Sequence, residues 1–446
     1  SFGIFAKTTG TGALSITTTG TTTSGQFDGI YAFINNTTST GDLTINAATT
    51  IGGGDGIKAD NNGSGALSIT TTGTTTGGTG DDGIYANNSL AGTSLTINAA
   101  TTTGGDDGID ARNYGTGALS ITTSGATTGG TGGDGIYANN SSAGTSLTIN
   151  AATTTGGEDG IVAKSYGTGA LSITTTGTTT GGTGDDGIYA IKRSTGDVTI
   201  NAATTTGGED GIVAQNYGTG ALSITTTGTT TGTVGDGIFA KINNTASTGD
   251  LTINAATTKG GYYGIFANNS GNGALSITTT GITTGGTTKD GIHAFLSNTA
   301  STGDLTINAA TTTGGRYGIK ADNNGTGALS ITTSGTTTGG TGGDGIYANN
   351  SSAGTSLTIN AATTTGGNDG IDADNEGSGA LTITTTGTTT GGTGYDGINA
   401  YNSSSGTSVT INAATTTGGE DGIVALNYGS GALSITTTGT TTGTTG

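Results

Sequence analysis

Any chemistry in this 446-residue chain has to come from acids and aromatics, because it contains no Cys and a single His. Aspartate is the most regular of them. It precedes Gly-Ile at fourteen of seventeen recurring points, the exceptions being Phe2, Tyr263 and Tyr317. One chemistry for such a column is calcium binding. Gly77–Tyr85 (Gly-Gly-Thr-Gly-Asp-Asp-Gly-Ile-Tyr) matches the calcium-binding nonapeptide, and it makes Asp82, with Asp134, Asp186 and Asp344, the candidate cation ligands. That motif works in tandem on consecutive turns, whereas here it comes at most once in two repeats, and Tyr263 and Tyr317 would break the series. The other reading is structural: each Asp accepts hydrogen bonds from backbone N–H groups of its own turn. We favour turn capping and expect no cofactor, with Ca2+ as the alternative.

The acidic pairs Glu158-Asp159, Glu209-Asp210 and Glu420-Asp421 suggest glycoside hydrolysis, which uses two carboxyl groups. Adjacent residues on a strand point to opposite faces, however, and no repeat breaks pattern around them. The chain is therefore read as non-enzymatic. A candidate contact stripe is formed by Tyr31, Tyr85, Tyr137, Tyr189, Phe239 and Tyr347, each directly after the repeated isoleucine. Such amphipathic rings suit glycans or a neighbouring fibre, or they simply pack across the sheet. They fall in every other repeat, about 10 Å apart if the repeats are stacked strands, which is too far for direct stacking. His293 occupies one of these slots and is read as neither ligand nor base. Threonine runs such as Thr17–Thr19 raise ice binding, but Asn46 and Ala48 would interrupt the row in the next repeat.

These residues are positioned by a repeat. The isoleucine of Asp-Gly-Ile-x-Ala recurs at intervals of 24–27 residues, the mark of a solenoid in which each repeat is one coil. Two coil types alternate, one with Gly-Ala-Leu-Ser-Ile-Thr (65–70) and one with Leu-Thr-Ile-Asn-Ala-Ala (95–100). Apolar residues alternate with polar ones: Ile84 and Ala86 inward with Tyr85 outward, Leu95 and Ile97 inward with Thr96 and Asn98 outward. A third extended run, Thr101–Thr103, ends at Gly104-Gly105. Three short strands separated by Gly, Asn and Ser turns fill a coil, and β-branched Thr and Ile favour strand over helix. We expect an all-β, right-handed parallel β-helix of about 17 coils, its three sheets enclosing a thin core of Ile, Leu, Ala and inward Thr. There is no Pro to interrupt the ladders. Residues 1–446 are read as one continuous solenoid segment. Ser1 and Gly446 both fall within a repeat, and no cap is evident, so the expectation is a piece of a longer chain.

The net charge is −19 with eleven scattered basic residues, which excludes a basic face for nucleic acid or anionic membrane. No apolar run is long enough to span a membrane. A longer repeat overlies the coils. The isoleucines at 30, 57, 84, 109, 136 and 161 recur 262 residues later, so a ten-coil block has been duplicated. The turn after the conserved alanine of each coil varies most (33–42, 87–94, 191–197 and 241–250), and loops on a rigid scaffold commonly carry binding.

Runs such as Asp186-Gly187-Ile188-Tyr189-Ala190 and Gly220-Ala221-Leu222-Ser223-Ile224-Thr225-Thr226-Thr227-Gly228 resemble the passenger repeats of bacterial autotransporter and filamentous-haemagglutinin-like adhesins. The resemblance covers the whole chain. It implies a right-handed β-helix displayed outside a Gram-negative outer membrane, with a signal sequence upstream and often a translocating barrel downstream, and it brings no catalytic residues. The expected function is a secreted surface fibre, adhesin passenger or stalk. Its partners would be a host or environmental surface, glycans or neighbouring fibres. The alternative is a filament that assembles end to end or laterally, with ice binding third.

Overall fold

The computed structural model describes residues 1–444, so the placement of Gly446 within a coil lies outside the described residues. The chain divides into two compact units, Ser1–Thr219 and Gly220–Gly446, with the same architecture inside each. A representative coil of the first unit has strands Ile84–Asn88, Leu95–Ala99 and Thr101–Thr103. Each pairs in parallel with its counterpart one coil on, in register: Ile84 over Ile109, Leu95 over Leu119, Thr102 over Thr127. In the second unit Ile346 lies over Ile371, Leu357 over Leu381 and Thr364 over Thr389. The architecture is an all-β parallel solenoid with three strands per coil and three parallel sheets.

The alternation expected from the sequence is what buries the core. Ile84, Ala86, Leu95 and Ile97 are all fully buried, and so are their equivalents in the coils between the first and the last. The glycine before each isoleucine is required by close approach. A Cβ on Gly108 would lie 2.5 Å from the Gly135 carbonyl oxygen of the next coil and 2.8 Å from Thr127 Cγ2.

The core also contains polar columns. The fifth residue of the isoleucine strand points inward, and in most coils it is asparagine. Asn61 Nδ2 donates to Asn88 Oδ1 (2.9 Å), Asn88 to Asn113 (2.9 Å) and Asn113 to Asn140 (2.9 Å). In the second unit the ladder runs from Asn323 through Asn350, Asn375 and Asn402 to Asn427, at 2.8–2.9 Å per step. Each amide also serves its own turn: Asn61 Oδ1 accepts from the Gly63 N–H and its Nδ2 donates to the Gly65 carbonyl. An amide that donates on one side and accepts on the other is self-complementary, which is how a buried polar group avoids its desolvation cost.

In the first unit the ladder is interrupted. After Asn140 come Ser165, whose hydroxyl is buried without a partner, and Lys192, fully buried with its Nζ donating to the Gly167 carbonyl. Burial brings the Lys192 ammonium down to about 8.

Two inward threonine columns behave differently. Thr71, Thr123 and Thr175 hydroxyls accept from the backbone N–H groups of Ala100, Ala152 and Ala203 in the following coil. The central threonines of the third strands, Thr75, Thr102 and Thr127 among them, are fully buried and their hydroxyls have no partner.

Two substitutions test these columns. Thr102→Val removes an unpaired buried hydroxyl without changing shape, and should stabilise the chain by about 1 kcal/mol, read as a higher thermal midpoint. Asn350→Leu should destabilise, by roughly 1–3 kcal/mol for each ladder partner left unpaired. Bulk is not the obstacle, since Leu296 already occupies the same slot. The loss should appear as faster amide exchange in the coils of Asn323 and Asn375.

Candidate functional site: columns on the outer face

The isoleucine strands present their second and fourth residues outward. Tyr31, Tyr85, Tyr137, Tyr189, Phe239 and Tyr347 do occupy this face, but as half-buried rings. In the first unit the coils between them supply cations. Lys58 Nζ lies 6.0 Å from the centre of Tyr31 and 4.7 Å from that of Tyr85. Arg112 lies 5.7 Å from Tyr85 and 5.6 Å from Tyr137, and Lys164 sits 4.9 Å from Tyr137. From Tyr31 to Lys164 the stripe is thus an alternation of ring and cation, in which Lys58 and Arg112 each have a ring on either side and Lys164 has Tyr137 on one.

Among the described residues the rings of the stripe itself, two coils apart, make no direct contact with one another. Where the intervening coil also carries a ring, neighbours do meet: Phe5 edge-on to Tyr31 at 5.4 Å, Phe239 stacked on Phe266 at 5.1 Å and nearly parallel, Phe266 tilted against His293 at 5.5 Å. One coil is a ring's reach; two are not. His293 also places its Nδ1 2.8 Å from Asp290 Oδ2.

The aspartate column needs a correction. Its carboxyls reach beyond their own turns. Each accepts from the backbone N–H of the same position one coil on: Asp82 Oδ1 from Asp107 (3.0 Å), Asp134 from Asp159 (3.0 Å), Asp186 from Asp210 (3.1 Å), Asp344 from Asp369 (3.0 Å). Tyr263 and Tyr317 still donate their N–H groups to Asp236 and Asp290. The glycines of the nonapeptide-like stretch make a turn, with Gly80 at φ +79° and Asp81 N–H donating to the Gly78 carbonyl. Among the described residues no three acidic or imidazole groups gather to hold a metal ion. Of the acidic pairs, Glu158 is exposed while Asp159 accepts from Asp186 N–H at 2.6 Å, so the two carboxyls part company.

Burial, with the acids stacked one coil apart adding to it, raises the pKa values of this column. Burial, then the charges of Asp110 and Asp107, push Asp82 up to about 8. Burial and the neighbouring acids take Asp134 and Asp186 to about 8 as well. Asp107 and Asp159 rise only to about 6; their N–H bonds are the shorter ones, 2.6 Å each, and favour the anion. Asp110 is held by Arg112, whose Nη2 lies 2.6 Å from its Oδ2. Asp372, the same position in the second copy, faces Asp374 in place of that arginine; burial and this second charge push it to about 8.

Other exposed groups were missed in the sequence. Tyr114, Tyr166 and Tyr217 follow the inward ladder residue and are exposed on the turn row, at 37 % each. The signal was present as Tyr-Gly-Thr-Gly in three alternate coils. Leu90, at the tip of a turn closed by Gly92 N–H to Ser89 carbonyl (3.0 Å), is 74 % exposed.

No protein-family model, curated protein or solved structure matches this chain. What the geometry offers is therefore read from its own two copies. The inward Ile84, Ala86, Leu95 and Ile97 recur as Ile346, Ala348, Leu357 and Ile359. The outward Arg112, Tyr137 and Lys164 have become Asp374, Asn399 and Leu426.

The acid column has a measurable consequence. Unfolded, these carboxyls titrate near 3.8; folded, Asp82, Asp134 and Asp186 titrate at about 8. The folded chain holds protons that the unfolded chain has released, so their stabilising effect is complete below about pH 4 and is lost as pH rises through 6 to 8. The thermal midpoint should fall between pH 5 and pH 8. Converting Asp82, Asp134 and Asp186 to Asn, which keeps the acceptor oxygen and removes the charge, should raise the midpoint at pH 8 and flatten the profile. A midpoint that climbs with pH would refute the account.

Proposed function

We propose that this chain is part of a non-catalytic extracellular fibre on the bacterial outer surface, an adhesin passenger whose outer faces make contact while its core serves only to present them. The observation that supports this most is the divergence between the two copies. Aliphatic core positions recur with few changes, Ile34 to Leu296 and Leu147 to Val409, while outward charges and rings have been exchanged, as Arg112 for Asp374 and Tyr114 for Glu376. The pattern fits a scaffold whose outer faces can be varied for contact at little cost to the core. The resemblance to autotransporter and filamentous-haemagglutinin-like repeats fits the same setting, as does an acidic surface with few basic residues. A filament joined end to end is the second reading. It is favoured by ladders that are the same at each step, since a step between molecules would look like a step within one.

The duplication provides the test. Deleting Ile30 to Gly291 joins Gly29 to Ile292, the equivalent residue of the second copy, so the coil register is kept. Cells displaying the shortened chain should attach less well than cells displaying the whole, and ten unrelated solenoid coils inserted as a spacer should not restore attachment. Restoration by the spacer would leave the segment a stalk. Unchanged attachment with normal display would remove the contact role.

A further inference from the structure

The first unit contains a groove of about 470 Å³ on the turn row, within the range of small-ligand sites. Four successive coils build it. Thr37 and Asn62 come from the first two, Leu90 stands on the turn tip of the third, and Tyr114 closes the far side from the fourth. Backbone ladders fix the spacing: Asn62 N–H donates to Ile34 carbonyl (3.0 Å), Ser89 to Asn61 (2.9 Å) and Tyr114 to Asn88 (2.8 Å). The groove is thus carried on rigid strands although its walls are turn residues.

Its chemistry is specific. None of the lining side chains is charged. Leu90 and Tyr114 are apolar and exposed, an arrangement that costs free energy unless something covers them, and they lie beside the amides of Asn62 and Asn87. An aromatic wall flanked by amide and hydroxyl groups, without charge, fits a ligand with an apolar C–H face and a rim of neutral hydroxyls.

The duplicated block gives an internal comparison. Thr37, Asn62, Asn87, Ser89 and Ala91 recur as Thr299, Asn324, Asn349, Ser351 and Ala353. The two lining residues that do not recur are the two large apolar ones: Leu90 is replaced by Ser352 and Tyr114 by Glu376. The frame has been copied and the apolar walls are present in one copy alone, so these two side chains are not demanded by the coil itself.

We propose that this groove is a binding site for a neutral saccharide, with one sugar ring packed on Tyr114 and Leu90 and its hydroxyls bonded to Asn62 and Ser89. The second copy has lost this site or never acquired it. The assignment deepens the contact role proposed above and rests on it for its biological setting, but the two fail separately: sugar binding is measured on purified protein, attachment on cells.

The experiment is to screen the full chain against an immobilised panel of neutral oligosaccharides and titrate the best binder by calorimetry. One site per chain is expected. L90S/Y114E, which gives the first copy the residues of the second, should weaken binding at least tenfold with an unchanged thermal midpoint. The reciprocal S352L/E376Y should raise the stoichiometry to two, a gain that loss of folding cannot imitate. Absence of binding across the panel overturns the proposal, and so does binding that L90S/Y114E leaves intact. Uptake of an apolar dye that the double variant abolishes, with no sugar bound, would show an apolar ligand site and overturn the saccharide assignment.

Discussion

Parallel in-register stacking places each residue over its own kind in the next coil, about one strand spacing away. Most of the side-chain chemistry in this chain follows from that constraint. Apolar residues satisfy it without difficulty, because isoleucine packs on isoleucine. Polar groups must find a way to tolerate themselves. Asparagine does so because its amide both donates and accepts. Aspartate is acceptor-only, so it turns to the backbone N–H of the next coil and sheds part of its charge by holding protons. Tyrosine solves the problem by alternating with basic residues, Tyr85 lying between Lys58 and Arg112 and Tyr137 between Arg112 and Lys164. The unpaired threonine column is the exception: its hydroxyls are within the core and have no partner, and nothing in the structure explains why valine is not used there.

The fold was legible in the sequence because a period of two within a period of 24–27 leaves little choice. Ile84, Ala86, Leu95 and Ile97 are buried where alternation puts them. What was hidden lay at the strand ends. Asn88 adjoins Ser and Gly and reads as turn chemistry, yet it is the fifth residue of an alternating strand and must point inward like the first and third. Asp82 likewise sits in a turn, and local capping was the natural reading; its actual acceptor role spans coils and no single-coil argument could supply it. The one-coil ring contacts were missed because the stripe was traced through one coil type, while Phe5 and Phe266 belong to the other.

Outer-face chemistry was legible as a composition and not as a site. The sequence shows that residues after the isoleucine are often aromatic, but not that Lys58 and Arg112 lie between them. Nor does it place Tyr114 opposite Leu90, which are separated by a whole coil. Only the register brings such residues together, and the same register lets the two copies be compared position by position.

The break in the asparagine column has a mechanical meaning. From Asn61 to Asn140 each coil is fastened to the next by a side-chain amide as well as by backbone ladders. At Ser165 and Lys192 that fastening is missing, and an ammonium is shut into the core instead. Local opening follows the weakest links in a cooperative structure. The slots without asparagine, Ile34, Ser165, Ile242 and Leu296 among them, therefore leave the coils to their backbone ladders, and Lys192 adds its bond to the Gly167 carbonyl, so the joints differ from coil to coil although the backbone does not.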